Sequence, residues 1–147
     1  VLMIVNVSTR EVLKNFPVES FELSNMDSEF NDFKIVAGEE AYVLSVVDEI
    51  LNSIPTEFAL GQNYPNPFNP VTKMDISLPI TGDVSLVIYN ILGQKVRTLF
   101  SGELNYGYHT MQWNGLDDQG LRVSSGVYFS EFRSRDHRKT KKMLLLK

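Results

Sequence analysis

From residue 71 onward, apolar and polar residues alternate with a period of two. Met74, Ile76 and Leu78 interleave with Lys73, Asp75 and Ser77, and Val84, Leu86 and Ile88 interleave with Ser85, Val87 and Tyr89. That period sends successive side chains to opposite faces and predicts half-buried strands. Further strands are predicted over 95–99, 108–113, 127–132 and 141–146, with a short one over 121–123. Turn signals separate them at 79–83 and 90–94, where Gly93 is free to take a positive φ. About seven strands at this spacing predict an antiparallel, immunoglobulin-like β-sandwich, an all-β fold. Trp113, Tyr89, Ile88, Val127 and Phe129 are the core candidates.

The first third reads differently. Stretches 1–7, 16–23 and 33–37 are rich in β-branched and aromatic residues and are separated by polar turns at 8–10 and 24–32, with Gly38 ending the last. Three strands bury too little to stand alone, so 1–47 is expected to be the C-terminal strands of a preceding β-sandwich domain. Over 39–54, Leu44, Val47, Leu51 and Ile54 recur every three to four residues, as in a short helix, while the valines also permit a strand over 42–47. A linker is expected over 48–70. Pro55, Pro65, Pro67 and Pro70 each fix their own φ and bias the preceding residue towards extended backbone. Tyr64 and Phe68 are expected to anchor this stiff segment onto the domain that follows.

Composition leaves this picture in place. The 147 residues are 43% hydrophobic, 22% charged and 11% aromatic, which is a globular rather than a disordered profile. With no Cys, disulfides and thiolate metal sites are excluded. Apolar runs are a few residues long, against the about 20 that a membrane helix needs. The chain opens on Val1 without the pattern of a signal peptide, as expected of a C-terminal piece of a longer protein. The net charge of −4 is uneven: 3 basic and 11 acidic residues through Glu57 give −8, and 11 basic and 7 acidic residues afterwards give +4. Over 133–147, seven cations face only Asp136.

Catalytic signatures are missing: there is no glycine-rich phosphate loop, no nucleophile elbow and no His-Glu-x-x-His pair. His109 lies in a predicted strand and His137 in a predicted polar turn, far apart in the chain. Asp117 and Asp118 lack the staggered acidic positions of a calcium loop and read as turn formers. No cofactor and no metal are expected. The basic strip of Arg138, Lys139, Lys141 and Lys142 runs into Met143, Leu144, Leu145 and Leu146 without interleaved aromatics, which argues against nucleic acid and for a lysine-guarded edge strand. An anionic partner, either a surface glycolipid or an acidic receptor groove, is the sharper alternative. Tyr106, Tyr108 and Trp113 form the candidate platform if the chain is instead a carbohydrate-binding module. Asn6-Val7-Ser8 matches a glycosylation acceptor but sits in a predicted strand.

Five pieces of the chain become specific when taken in order. They are Leu60-Gly61-Gln62-Asn63-Tyr64-Pro65-Asn66-Pro67-Phe68-Asn69-Pro70, Ile88-Tyr89-Asn90-Ile91-Leu92-Gly93-Gln94-Lys95-Val96, Trp113-Asn114-Gly115-Leu116-Asp117, Ser125-Gly126-Val127-Tyr128 and Lys142-Met143-Leu144-Leu145-Leu146-Lys147. Together they resemble the type A C-terminal sorting domain of type IX secretion substrates, over residues 58–147. The same core is similar to the immunoglobulin-like domain of flagellar hook-capping proteins. The departures are Gly61, where such sorting domains often carry an acidic residue, and Asn114, where Asp is common.

The first resemblance implies a non-catalytic address tag that directs its cargo through the outer-membrane translocon after export to the periplasm. It implies removal by a sortase-like peptidase, with the cargo released or joined to a surface lipopolysaccharide, and hence a secreted or cell-surface location. Cleavage is expected between residues 48 and 60, near the polar pairs Asn52-Ser53 and Thr56-Glu57. Sorting recognition is expected to fall on Lys141, Lys142, Met143, Leu144, Leu145, Leu146 and Lys147, read by strand addition, beside a face made by Gly126, Val127 and Tyr128. The alternatives are a structural spacer or hook-capping module and the carbohydrate-binding module.

Overall fold

The computed structural model describes residues 1–7, 9–14 and 33–146, arranged as two compact units, 1–54 and 55–147. The strand expected over 16–23, the turn over 24–32 and the terminal Lys147 lie outside the described residues.

In the first unit, β1 (Leu2–Asn6) is the central strand, pairing antiparallel with β2 (Glu11–Lys14) and β3 (Phe33–Ala37). The stretch left open between helix and strand is a helix, α1 (Glu40–Ser53). Its buried stripe is Val43 and Val47, packed with Met3 and Val5 of β1 and flanked by Ile50 and Leu51. That i, i+4 spacing is helical, so the valines serve a helix face. Leu44, expected on the stripe, is instead exposed. No basic residue stands in the last turn of α1. Arg10 takes that role from outside, donating from Nη2 to the Leu51 carbonyl at 2.8 Å and from Nη1 to that of Ile54 at 3.2 Å.

The second unit is the sandwich that the alternation predicts. One sheet runs β10 (His137–Leu145), β9 (Gly126–Ser134), β6 (Gly82–Asn90), β7 (Lys95–Leu104); the other runs β4 (Ala59–Leu60), β5 (Thr72–Leu78), β8 (Gly107–Trp113). All strand pairs are antiparallel. The short strand expected over 121–123 is only a bridge between Leu116 and Arg122. One core lies between the sheets, with Met74, Ile76 and Leu78 from one side and Val84, Leu86, Ile88, Phe132, Met143 and Leu145 from the other. Trp113 is fully buried, its ring against Phe68 and Tyr128 with centroids 5.5 and 5.1 Å away, and its Nε1 donates to the Leu116 carbonyl at 2.9 Å. Gly115, at φ +69, lets the following turn pass the Pro70 carbonyl, which a Cβ would meet at 3.4 Å.

Three of the five core candidates lie elsewhere. Tyr89, Val127 and Phe129 are only partly buried, while Tyr128 and Phe132 fill the interior. The run Val127-Tyr128-Phe129 suits either parity of β9. Glu131 and Arg133 break the tie, because odd positions carry the charges and so face outward.

Candidate functional site

Of the stretch expected as a linker, 48–53 ends α1, and Asn52 and Ser53 are therefore helical. Residues 59–60 form β4, and 61–70 are stitched to the sandwich by named bonds. The Tyr64 amide donates to the Lys73 carbonyl at 2.8 Å, and the Lys73 amide donates back at 2.9 Å. Asn63, 2% exposed, donates from Nδ2 to the Thr72 hydroxyl at 2.9 Å and the Pro65 carbonyl at 3.0 Å. Phe68 is the apolar anchor, at 2% exposure; Tyr64, expected to share that role, is 82% exposed and holds on through its backbone alone. Its ring is spared because the antiparallel bridge to Lys73, an outward residue of β5, turns Tyr64 outward too.

The same segment lies along the outer edge of β10. The Phe68 amide donates to the Leu144 carbonyl at 3.0 Å, and the Leu146 amide donates to the Phe68 carbonyl at 2.9 Å. Asn66 Oδ1 accepts from the Leu144 amide at 2.9 Å, and Gln62 Nε2 donates to the Lys142 carbonyl at 2.8 Å. The backbone edge expected to receive an added strand is thus occupied from Lys142 to Leu146 by residues 62–68 of the same chain.

The expected recognition residues do come together. Met143, Leu144 and Leu145 pair with Tyr128, Val127 and Gly126. Met143, Leu145 and Tyr128 face inward and are buried, with the Tyr128 hydroxyl donating to the Ser124 carbonyl at 2.7 Å. Val127 and Leu144 are half-buried, and Lys142 and Leu146 are exposed. Lys141 is intermediate, on the inward parity of β10.

Sequence reasoning missed a second cluster, on the outer face of the four-stranded sheet. Glu131 is 5% exposed there, its Oε1 accepting from Arg133 Nε and its Oε2 from Arg138 Nε, both at 2.6 Å. Burial disfavours its ionised form, but hydrogen bonds and charge from the two guanidinium groups outweigh this and hold the carboxyl below the usual glutamate range. The available signal was the outward parity of Glu131, Arg133 and Arg138. An open trough of about 430 Å³ runs beside them over Phe129 and Tyr89.

The other chemical candidates are structural. Asp117 Oδ1 accepts from the Gln119 and Leu121 amides, both at 2.9 Å, and Asp118 Oδ1 accepts from the Thr98 amide at 2.9 Å. The Thr98 bond leads the causes that lower the Asp118 pKa, with Lys95 helping at 3.3 Å. His109 Nε2 donates to the Asn105 carbonyl at 2.8 Å. His137 begins β10, paired with Ser134, instead of lying in a turn, and its ring stacks on Phe58 with centroids 4.3 Å apart. Of the candidate aromatic platform, Tyr108 is exposed and Tyr106 partly buried, but Trp113 is core, so the three do not form one exposed surface.

Comparison of the sequence with known domain families agrees with the sandwich architecture. Residues 68–133 match the FlgD Ig-like domain. No curated protein matches the chain. Among solved structures, dimeric latent PorU from Porphyromonas gingivalis aligns at 18% identity and a TM-score of 0.48, over 63% of this chain and 10% of that one. FLGD from P. aeruginosa aligns at 24% identity and a TM-score of 0.41, over 50% of this chain and 57% of that one. PorZ, a surface component of the type-IX secretion system of P. gingivalis, aligns at 23% identity and a TM-score of 0.39, over 61% and 11%. The chain therefore spans about a tenth of the first of these. No helix among the described residues is long and apolar enough to cross a membrane.

Proposed function

We propose that residues 58–147 are a non-catalytic C-terminal sorting signal that directs a secreted cargo through the outer-membrane type IX translocon. The observation that carries this reading is the joined edge: the proline-rich opening motif and the last strand, two of the five stretches that carry the resemblance to the sorting family, form a single hydrogen-bonded strip. A tag must fold by itself and show a fixed surface, and this strip makes both ends of the signal one object. The partners are the translocon and its sortase-like peptidase, with surface lipopolysaccharide as the acceptor where the cargo is anchored. The cargo travels through the periplasm to the surface or the medium. Exposed Thr56 and Glu57, beyond the end of α1, are the proposed region of cleavage. Recognition is assigned to what the strip leaves accessible among the described residues, Lys142 and Leu146, while Tyr128, Met143 and Leu145 support it from the core.

The test is export of a reporter that carries an inner-membrane signal and residues 58–147, in a bacterium with a type IX translocon, beside the same fusion lacking 141–147. Arrival of only the complete fusion outside the cell supports the reading. Retention of both in the periplasm, folded, overturns it. A structural immunoglobulin-like module of the hook-capping kind then becomes the better account, a second reading favoured by the match over 68–133.

A further inference from the structure

The turn between β6 and β7, and the sheet face behind it, carry features that folding does not require. Ile91 and Leu92 stand at the tip, 73% and 78% exposed, where turn residues are ordinarily small or polar. They are held in place. Asn90 Oδ1 accepts from the Leu92 and Gln94 amides, both at 3.0 Å, and Asn90 Nδ2 donates to Gln94 Oε1 at 2.9 Å. Gly93, at φ +75, completes the turn by donating to the Asn90 carbonyl at 3.0 Å. Two aliphatic side chains are thus presented to solvent on a fixed loop, which removes the ordering cost a mobile loop would add to binding.

Behind the tip, the strand register sets Lys142, Phe129, Tyr89 and Lys95 in one row across all four strands, and Arg138 opposite Arg133 near the far end. Cross-strand partners share a face, so the trough of about 430 Å³ has an aromatic floor, Ile91 at one end and the two arginines at the other. Each arginine gives its Nε to Glu131. Both Nη atoms of Arg133 and Nη1 of Arg138 have no partner among the described residues. Lys95 is paired with Asp118, so Arg133, Arg138 and Lys142 against Glu131 leave an excess of two positive charges. The buried carboxylate fixes both guanidinium groups while cancelling only one of them.

We propose that this face docks an acidic, amphipathic polypeptide segment of a partner protein. Its apolar side chains seat on Phe129, Tyr89 and the Ile91-Leu92 tip, and its carboxylates pair with the free N–H groups of Arg133 and Arg138. Charge complementarity selects an anion, and guanidinium forks match carboxylates. The apolar half of the surface selects a polypeptide over a nucleic acid, which has no use for two exposed aliphatic side chains beside so short a cationic track. The proposal stands whether or not the unit is a sorting signal.

The test follows backbone amides of the isotope-labelled 147-residue chain by NMR during titration with three probes. These are a capped peptide of alternating Glu and Leu, its Lys-for-Glu counterpart, and phosphatidylglycerol vesicles. The expected result is shifts confined to residues 89–93, 129–133 and 138–142, with the acidic peptide alone, weakening as salt is raised above about 50 mM. Ile91→Ser with Leu92→Ser changes only solvent-facing positions and is expected to weaken binding by about tenfold with the spectrum otherwise unchanged. Arg133→Gln with Arg138→Gln is expected to weaken it at least as much. Equal response to the basic peptide, response to the vesicles alone, shifts elsewhere, or no shifts with the acidic peptide would each overturn the proposal.

Discussion

The two halves of β10 are the same strand in different circumstances. From Lys142 to Leu146, the backbone groups that point away from β9 are taken by residues 62–68, and this half supplies Met143 and Leu145 to the core. From Arg138 to Thr140, the outward groups have no backbone partner among the described residues, and the strand is cationic. An unpaired edge invites another strand, and clustered Lys and Arg discourage one by repulsion and by desolvation. Cover and charge are therefore alternative protections, used in turn along nine residues.

Removing the cover should have the largest effect. Phe68→Ala is expected to destabilise the second unit by about 3–5 kcal/mol in urea unfolding, since the ring is buried against Trp113. A cost below about 1 kcal/mol would mean that the segment rests on the strand without holding it. The open half should show a smaller, pH-dependent loss. The Glu131 carboxyl is held below its unfolded value, so its contribution is present above about pH 5 and is lost as pH falls through the depressed value. Thermal midpoints should decline over that window in the native chain, with a shallower decline in Glu131→Gln. Asn66→Ala removes the 2.9 Å bond from the Leu144 amide and the longer one, 3.5 Å, to the Lys142 carbonyl, and is expected to cost about 1 kcal/mol. Hydrogen exchange should quicken at Leu144 while leaving the already open Thr140 unchanged. Lys139→Ala, on the exposed half, should stay within about 0.5 kcal/mol.

The sandwich was legible because strict alternation, as in Val84, Leu86 and Ile88, leaves one possible inner face. β9 was harder: three successive large apolar residues satisfy both parities locally, and the decision came from charges four and six residues after Val127. The helix was ambiguous because valine suits both structures, and only its i, i+4 contacts with β1 decided it. β2, four residues with two charges, gave no period to count. The joined edge was beyond any local pattern, since Asn66 and Leu144 lie 78 positions apart and their partnership is made by the fold alone. The tip residues Ile91 and Leu92 were visible as letters, but their exposure was not.

The joined edge also orders events in time. β10 enters between β9 and residues 62–68, yet it follows every other strand of its unit along the chain. A polypeptide emerging from a ribosome or a pore with its N-terminus first therefore carries an open β9 edge and vacant positions for Met143 and Leu145 until its final strand arrives. Loop closure of this span is slow compared with closing a hairpin. Completion of the unit thus reports that every one of its strands has passed, giving the fold a built-in mark of arrival.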